Sequence, residues 1–431
     1  MKTVIMAGGR GTRISSVAPD IPKPMIRIDD RPVLQYIIES IRDQGFTDFI
    51  ITVSYLGNII EEYFGDGSKF GVKISYFHEE SPLGNAGALF YLKDQLTEDF
   101  LLLNGDAVFD INLKRFIDFH KANGGTATIF THPNSHPYDS GLIICDSNNR
   151  VIEWLAKEDE RPEYYKNRVN AGIHVLSPKA LETIEIADKD HKVDLDRNIL
   201  KPLCKKGELF CYDSPEYVKD MGTPERLTAV LNDVREGKVS ARNLNNKQKA
   251  IFLDRDGTIN RYVGFLTDIN DFELLPGAAE AIKKINDSGY LAIVVTNQPV
   301  IARGEVTVNE LNEIHCKMDT LLGQEGAYID ALYYCPHHPD SGFEGEIKEL
   351  KIKCECRKPN PGMLKAAAAD YNIDLGRSWM VGDGKNDVLA GQNAGVRPIL
   401  ISEKNYGNIE NVHSLLEAVD LILSEDSAKW R

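Results

Sequence analysis

Two aspartates directly follow a short apolar run in the second half of the 431-residue chain. The run, residues 250–253, has the composition of a buried strand, and Asp254 and Asp256 stand just beyond its carboxyl end. Two carboxylates at this spacing can share one divalent cation, which lowers their mutual repulsion. One could then attack a phosphorus atom while the other protonates the leaving oxygen and later activates water. An Asp-Gly turn without chemistry is the alternative interpretation of this segment taken alone.

Three further segments offer the groups that a phosphoryl transfer needs. Thr296 and Asn297 end an apolar run and present a hydroxyl and an amide to a phosphoryl oxygen. Arg357 and Lys358 supply positive charge for the same group, and Asp383 follows a further apolar run with a third carboxylate. Because the segments occur together, a common site explains them better than separate turns do, although motif matches are hypotheses. In this order they resemble the haloacid dehalogenase (HAD) phosphatase superfamily.

This resemblance implies an aspartyl-phosphate mechanism with Mg²⁺ as cofactor. Asp254 would be the nucleophile and Asp256 the general acid and base. Thr296 and Lys358 would bind the phosphoryl group. Mg²⁺ would be held by Asp254, Asp383 and the main-chain carbonyl of Asp256.

A cluster of cysteine and histidine lies between the second and third of these segments. Cys335 and His337 are followed by Cys354 and Cys356, which together offer the four ligands of a closed tetrahedral zinc site. His337 is preferred to His338 because it alternates with Cys335. Four protein ligands leave no open position, so the zinc would be structural, and Cys356 directly precedes the cations of the substrate loop. Unliganded thiols are the alternative.

Segments that include the predicted zinc loop indicate which phosphatases of the superfamily the chain resembles most. The segments DRDGTIN, TNQ, IARG, CPHHP, CECRKPNPGM and VGD are similar to the heptose 1,7-bisphosphate 7-phosphatases over nearly all of residues 249–405. Histidinol-phosphate phosphatases are similar and share the zinc loop. Pro299, Val300 and Gly384 depart from the residues usual in the heptose enzymes, and they lie near the substrate. Asp387 is interpreted as an acid in the first turn of a helix, with a supporting role at the metal as the alternative.

A second site is indicated at the start of the chain, where an apolar run ends in the loop Ala-Gly-Gly-Arg-Gly-Thr-Arg, residues 7–13. Glycines let main-chain N–H groups approach a triphosphate, and the arginines add positive charge. A dinucleotide-binding loop is the alternative. It is disfavoured because its third glycine is missing and because Pro19, Pro22 and Pro24 oppose the helix that must follow.

Six segments in the first half of the chain are similar to those of sugar-1-phosphate nucleotidyltransferases. They are GGRGTR, PKPM, PLGNAGAL, NGD, NAGI and DMGTPE, in family order over residues 1–231. This resemblance implies that Asp106 and Asp220 hold Mg²⁺ against the nucleotide phosphates. Arg13 and Lys23 would neutralise charge as the sugar phosphate attacks the α-phosphorus and pyrophosphate leaves.

The same resemblance implies the residues that bind the substrates. Gly84 would lie against the base or the sugar, and Asn170 would hydrogen-bond the sugar. Lys157 stands near a sugar-binding Glu-Lys-Pro of the family, but its neighbours here differ, and an ordinary surface lysine is the alternative. The loop residues expected to contact the nucleotide phosphates are Gly8, Gly9, Gly11 and Thr12.

The arrangement of apolar runs predicts an α/β protein of two domains. Short runs alternate with helical patterns, which is typical of parallel sheets with crossover helices. The polar, asparagine-rich segment 236–248 is interpreted as a linker between domains at 1–235 and 249–431. The resemblances imply a Rossmann-like, GT-A-like mixed sheet first and a HAD-like Rossmannoid with a zinc loop second. The expected strands include residues 3–7, 49–53, 100–103, 250–253, 291–295 and 379–381.

The composition limits the partners. A net charge of −15 argues against nucleic acid or an anionic membrane as the main ligand, and no apolar run approaches the length of a membrane span. Without a recognisable secretion signal, we expect a cytoplasmic protein whose cysteines are thiols or metal ligands. Cys145, Cys204, Cys211 and Cys316 stand singly and are expected to be small core residues.

The two halves fit consecutive reactions, because a 7-phosphatase produces the sugar 1-phosphate that a nucleotidyltransferase consumes. The resemblances therefore imply D-glycero-D-manno-heptose 1,7-bisphosphate, preferably the α-anomer, as first substrate and GTP as nucleotide, with GDP-heptose as product. The partners are then small molecules: a sugar bisphosphate, a sugar 1-phosphate and a nucleoside triphosphate. A homo-oligomer is compatible with the sequence. The alternatives are a mannose or glucose 1-phosphate enzyme fused to a histidinol-phosphate-like or general sugar phosphatase, and a sugar-nucleotide sensor without catalysis.

Overall fold

The computed structural model describes residues 1–9, 20–184, 192–342, 344–404 and 409–428. The chain forms two compact units. The first unit comprises Met1–His132, Ile143–Leu155 and Asn170–Asn243, and the second comprises Pro133–Leu142, Ala156–Val169 and Leu244–Arg431. None of the described helices is both long and apolar enough to cross a membrane.

The first unit is built on a mixed sheet. The strands of this unit are β1 (Thr3–Met6), β2 (Arg27–Ile28), β3 (Arg31–Pro32), β4 (Asp48–Val53), β5 (Lys73–His78), β6 (Phe100–Asn104), β7 (Ala107–Asp110), β8 (Ala127–His132), β9 (Leu142–Cys145), β10 (Val151–Leu155), β11 (Val169–Leu176), β12 (Leu209–Asp213) and β13 (Tyr217–Asp220). Of these, β2 pairs with β3 and β7 pairs with β13 in two small sheets that are separate from the mixed sheet. Its helices are α1 (Val33–Arg42), α2 (Gly57–Phe64), α3 (Ala88–Leu92), α4 (Leu113–Asn123), α5 (Lys201–Lys205), α6 (Pro224–Arg235) and α7 (Lys238–Ala241), and a π-helix covers Leu195–Leu200.

Strand β1 lies inside this sheet, between β4 and β6, and is parallel to both. Its consecutive residues Val4 and Ile5 belong to the hydrophobic cores on opposite faces of the sheet. Such double burial explains why the segment is apolar without alternation. Since β1 and β6 are parallel, the glycine loop after β1 and the aspartate after β6 leave the same edge of the sheet.

The second unit has a six-stranded sheet in the order β16-β15-β14-β17-β18-β19, and the recorded pairings between its strands are all parallel. Its strands are β14 (Lys249–Leu253), β15 (Tyr290–Asn297), β16 (Ala331–Cys335), β17 (Trp379–Gly382), β18 (Arg397–Ile401) and β19 (Glu410–Val412). Its helices are α8 (Ala278–Asp287), α9 (Val308–Gln324), α10 (Gly362–Asp370), α11 (Lys385–Ala394) and α12 (Leu415–Ala428). Strand β14, between β15 and β17, is buried on both faces and brings the first aspartate pair to the carboxyl edge.

Two segments from the first half of the sequence, 133–142 and 156–169, belong to the second unit. The second of these segments lies against α9, where the Tyr165 main-chain N–H donates to the Thr320 hydroxyl (2.9 Å). The guanidinium of Arg168 donates to the carbonyls of Ile329 (3.3 Å) and Asp330 (2.9 Å). These contacts join residues that are 155 to 162 positions apart in the sequence. Composition and motif order therefore do not predict them.

All six expected strands are present, with ends shifted by a few residues at most. The segment 236–248, interpreted as a linker, contains α7, and Leu244 and Gln248 within it are buried. Cys211 is buried in the core as expected, but the expectation that it and Cys145 are thiols is wrong, because the two form a disulfide within the first unit. The strands that carry them are far apart in sequence, so their proximity depends on the sheet order. Cys204 and Cys316 are free, as expected.

Candidate active sites and zinc centre

The carboxyl edge of the second sheet gathers the predicted phosphatase residues. Lys358 is buried between two carboxylates, with its Nζ 2.8 Å from Asp254 Oδ1 and 2.6 Å from Asp387 Oδ1. Oxygens of Asp254, Asp383 and Asp387 lie within 4.8 Å of one another, an arrangement able to hold a metal ion. Asp387 also accepts from the Gly384 main-chain N–H (2.9 Å) at the start of α11, so it caps the helix and joins the cluster. Its interpretation as a helix acid alone is therefore incomplete.

Burial and mutual charge perturb these groups. Burial and the charge of Asp387 raise the pKa of Asp254, and the Lys358 ammonium only partly offsets them. The same two causes raise the pKa of Asp383 to about 6. Burial alone would lower the pKa of Lys358, but Asp254 and Asp387 outweigh it and raise the pKa. A divalent cation beside these carboxylates would favour their charged forms, so the donor set and its electrostatics fit Mg²⁺.

Asp256 is held by hydrogen bonds on both carboxylate oxygens. Its neighbour Arg255, which is fully buried, donates Nη2 to both oxygens at 2.9 Å. Asn260 donates to Oδ1 (3.0 Å) and Gln298 donates to Oδ2 (2.8 Å). Gly257 follows at φ +84°, and a Cβ there would lie 2.1 Å from Asp383 Oδ2. Glycine is thus required at this position by both its backbone angle and the closeness of the third carboxylate.

The remaining phosphatase residues complete one cavity of about 340 Å³. Thr296 is buried at the end of β15, and its hydroxyl oxygen accepts from Gln298 (2.9 Å). Asn297 donates its side-chain amide to the Lys358 carbonyl (3.0 Å) and accepts from the Lys358 N–H (2.9 Å). Its amide therefore orients the main chain that carries the lysine. The predicted residues that line the cavity are Asp254, Asp256, Thr296, Asn297, Arg357, Lys358 and Asp383.

The four predicted zinc ligands converge beside this cavity. The Sγ atoms of Cys335, Cys354 and Cys356 are 3.2–3.5 Å apart, and His337 Nδ1 is 3.3 Å from Cys356 Sγ. Separations of this order suit a tetrahedron with Zn–S distances of about 2.3 Å. The other histidine, His338, instead accepts from the Asp340 main-chain N–H. Burial raises the pKa of Cys335, so a bound metal would be needed to keep it a thiolate.

The zinc loop is tied directly to the substrate cations. Arg357 Nη1 donates to the main-chain carbonyl of His337 at 3.1 Å, and Gln298 N–H donates to the carbonyl of Cys335 at 2.8 Å. Two of the ligand-bearing residues are thus bonded through their main chain to residues of the cavity. A metal that fixes the loop would therefore also fix the position of Arg357.

The first unit has a cavity of about 720 Å³ at the carboxyl ends of β1 and β6. The predicted residues that line it are Gly8, Gly9, Lys23, Gly84 and Asp106. Lys23 forms an ion pair with Asp106. Gly84 has φ +84°, and a Cβ there would lie 2.3 Å from the Val193 carbonyl oxygen, so a side chain would distort this wall.

Asp220 lies next to Asp106 through strand pairing. It ends β13 and is opposite Ala107, the residue after Asp106, in the antiparallel pair with β7. Asp220 accepts from Arg226 Nη1 (2.9 Å) and from the Gly222 N–H (2.7 Å). Burial alone would raise the pKa of Asp220, but Arg226 and these hydrogen bonds outweigh it and lower the pKa. The carboxylate is therefore charged at neutral pH, although Asp220 itself is not among the described residues that line the cavity.

Some predicted transferase residues are not placed in this cavity. Gly11, Thr12 and Arg13 lie outside the described residues. Asn170 and Lys157 are not among the described residues that line it; Lys157 is exposed in the second unit, and Asn170 accepts from the Gly172 N–H (3.1 Å). Their proposed roles stay predictions.

Sequence reasoning missed Glu79, which lines the cavity beside the glycine loop. A Cβ on Gly8 would lie 3.3 Å from Glu79 Oε1, and Glu79 Oε2 accepts from the Leu83 N–H at 3.4 Å. Burial raises the pKa of Glu79. The only signal in the sequence was its position just before the loop that carries Gly84.

Comparison with known families matches both halves of the chain. The nucleotidyl transferase family matches residues 2–237, more than half of the sequence, and a HAD-hydrolase-like family matches residues 355–415. The heptose-1,7-bisphosphate 7-phosphatase of Haemophilus ducreyi (β-anomer) is 44% identical over 151 residues, 35% of this chain and 80% of that protein. Its counterpart from Burkholderia mallei (α-anomer) is 43% identical over 169 residues, 39% of this chain and 87% of that protein.

The first half has more distant relatives. The mannose-1-phosphate guanyltransferase of Saccharomyces cerevisiae is 31% identical over 231 residues, which are 52% of this chain and 62% of that protein. The chain thus spans less than two thirds of the length of that relative. Among solved structures, HddC from Yersinia pseudotuberculosis is 26% identical with a TM-score of 0.47, covering 54% of this chain and 99% of that chain.

A nucleotidyltransferase sheet and a HAD-like phosphatase sheet in one chain define a bifunctional transferase and phosphatase of the α/β class. The chain belongs to the nucleotidyl transferase family through its first half and to the D-glycero-D-manno-heptose-1,7-bisphosphate 7-phosphatase family through its second half. The predicted fold class and the predicted fusion are therefore confirmed.

Proposed function

We propose that the chain hydrolyses the 7-phosphate of D-glycero-D-manno-heptose 1,7-bisphosphate and then converts the heptose 1-phosphate to GDP-heptose with GTP. The observation that carries this proposal is the pairing, in one chain, of a complete phosphatase cluster with a separate cavity in a nucleotidyltransferase fold. The product of the first reaction is the substrate class of the second. A sensor would not need to retain Asp106, Asp220, Asp254, Asp256 and Asp383.

In the phosphatase reaction, Asp254 attacks the phosphorus and Asp256 gives a proton to the leaving sugar oxygen. Thr296, Lys358 and Arg357 neutralise and orient the phosphoryl oxygens. Asp256 then takes a proton from the attacking water, and phosphate leaves Asp254. Mg²⁺ held by Asp254, Asp383 and the Asp256 carbonyl would supply positive charge to the phosphoryl group.

In the transfer reaction, Asp106 and Asp220 are the proposed Mg²⁺ ligands. Lys23 would leave its ion pair with Asp106 to neutralise the α-phosphate, together with Arg13. The Gly8 and Gly9 main chain would approach the triphosphate. Glu79 gives a reason for the choice of GTP, because a carboxylate can accept from both N1–H and the exocyclic amine of guanine.

The partners of this enzyme are proposed to be small molecules, and its location the cytoplasm, where nucleoside triphosphates are available. The preferred bisphosphate is proposed to be the α-anomer, since GDP-heptose formation needs a matching 1-phosphate. Zn²⁺ at Cys335, His337, Cys354 and Cys356 is proposed to be structural, because those four groups already complete a tetrahedron.

The proposal is tested by phosphate release from each anomer of heptose 1,7-bisphosphate, followed by pyrophosphate release with each of four NTPs. We expect loss of one phosphate from the α-anomer and then GTP-dependent pyrophosphate release. Glu79→Gln should lower kcat/KM for GTP by about 10- to 100-fold, the value of a charge-assisted hydrogen bond, with a smaller effect for ATP. No release from either anomer, with hydrolysis of histidinol phosphate instead, would contradict the heptose assignment.

Removal of zinc should impair the phosphatase alone. Cys356→Ser is expected to lower the zinc content to well below one per chain and phosphate release by about tenfold or more, because the loop that carries Arg357 loses its anchor. Metal analysis measures the zinc content, and the phosphate-release and pyrophosphate-release assays measure the two activities. Cys316→Ser, at a free cysteine of the same unit, is the matched control and should keep both zinc and activity. Full phosphatase activity of a zinc-free protein would show that the metal has no part in holding the site.

A further inference from the structure

We infer that Gln298 is a positioning residue of the phosphatase, which aligns the general acid Asp256 with the phosphoryl group. The inference rests on the proposed role of Asp256. Gln298 follows the end of β15 and is only 2% exposed. Its Nε2 donates to Asp256 Oδ2 at 2.8 Å and to the Thr296 hydroxyl oxygen at 2.9 Å. One amide thus joins the residue that moves the proton to a residue that binds the phosphate.

The other donors to Asp256 cannot perform this alignment. Arg255 and Asn260 belong to the same loop as Asp256, so their hydrogen bonds keep the loop's internal shape but move with it. Gln298 is supplied by a different strand and therefore fixes that loop relative to β15. Its main-chain N–H is itself held by the Cys335 carbonyl at 2.8 Å, so the strand that leads to the zinc loop supports the same alignment.

The alignment of Asp256 matters most in the first step, when the sugar oxygen leaves. When Asp254 forms its bond to phosphorus, the bond from phosphorus to the sugar oxygen breaks, and that oxygen takes the proton of Asp256. An alkoxide is a poor leaving group and needs this proton, whereas p-nitrophenolate leaves readily without it. In the second step Asp256 receives a proton from the attacking water, and the bond from phosphorus to Asp254 breaks. A displaced Asp256 should therefore slow alkyl esters far more than p-nitrophenyl phosphate.

The test uses Gln298→Met in the full chain, because methionine keeps the length of the side chain but cannot donate. We expect kcat for heptose 1,7-bisphosphate to fall by about 10- to 100-fold, part of the 10²- to 10⁴-fold that a general acid provides. KM should stay within about twofold and kcat for p-nitrophenyl phosphate within about threefold, since the nucleophile is unchanged and Thr296, whose hydroxyl oxygen accepts from Gln298, keeps its own O–H to donate to the phosphate. Gln248→Met, at another buried glutamine of the same unit whose amide donates to the Asn246 carbonyl, should leave both esters unaffected.

The other outcomes separate this inference from the proposed function. Equal loss with both esters, or a raised KM with unchanged kcat, would overturn the positioning role in favour of phosphate binding or folding. No loss with either ester would overturn it outright. Asp256→Asn serves as the reference: if it too shows no dependence on the leaving group, the failure lies with the role of Asp256. Should Gln298→Met lower the melting temperature, Gln298→Asn, which keeps the amide but shortens the side chain, must show the same preference for the phenyl ester.

Discussion

Asp254→Asn should abolish phosphate release from the sugar bisphosphate while nucleotidyl transfer continues at its normal rate. The amide cannot form the aspartyl-phosphate, and loss of a covalent nucleophile costs more than loss of an acid or base, so we expect a fall of at least about 10⁴-fold. The transfer reaction uses a different cavity with different carboxylates. Phosphate and pyrophosphate release, assayed separately on the purified variant, measure the two effects.

The stability of this variant provides an internal control. Because burial and Asp387 raise the pKa of Asp254, its negative charge at neutral pH opposes folding in the absence of Mg²⁺. The neutral amide removes that cost, so the melting temperature should be unchanged or higher. Asp370→Asn, at a carboxylate of α10 that accepts from the Tyr333 hydroxyl, should retain phosphatase activity. If phosphate release survived in Asp254→Asn, the nucleophile would be a different residue.

Asp106→Asn should impair nucleotidyl transfer and leave the phosphatase activity unchanged. It removes a proposed metal ligand and the ion-pair partner of Lys23, so we expect pyrophosphate release to fall by at least about 10³-fold. Phosphate release from the bisphosphate should be unchanged, because the phosphatase cluster contains no residue of the first unit. Pyrophosphate release from GTP and heptose 1-phosphate over a range of Mg²⁺ concentrations measures the loss.

Asp110→Asn is the matched control for this second variant. Asp110 ends β7, a few residues beyond Asp106, and accepts from the Asn243 side-chain amide at 2.7 Å outside the cavity. Its substitution should leave transfer intact. If Asp106→Asn retained full transfer at low Mg²⁺ concentration, the metal assignment in the first unit would be wrong, whereas the phosphatase assignment would be unaffected.

Residue types and spacing by themselves predict the phosphatase and zinc sites of this protein. Asp254, Asp256, Thr296 and Asp383 stand at the ends of apolar runs, and parallel strands bring such ends to one edge of a sheet. The Cys-x-His and Cys-x-Cys pairs likewise hold their ligands in short loops whose geometry is local. For these groups, sequence distance from a strand end was enough to predict their convergence, which the structure has.

Other features were decided only by the tertiary structure. The sequence position of Asp387 predicts a helix acid, whereas in the structure Lys358, from a distant loop, lies beside its carboxylate. The amide of Asn297 orients the lysine main chain, and Glu79 faces the glycine loop through the packing of separate strands. The Cys145 and Cys211 pairing depends on strand order, and segments 133–142 and 156–169 belong to the second unit, where residues of the latter segment contact α9 and the residues before β16. All of these are contacts between residues far apart in sequence, and residue type and spacing alone carry no information on which distant side chain the fold will place opposite.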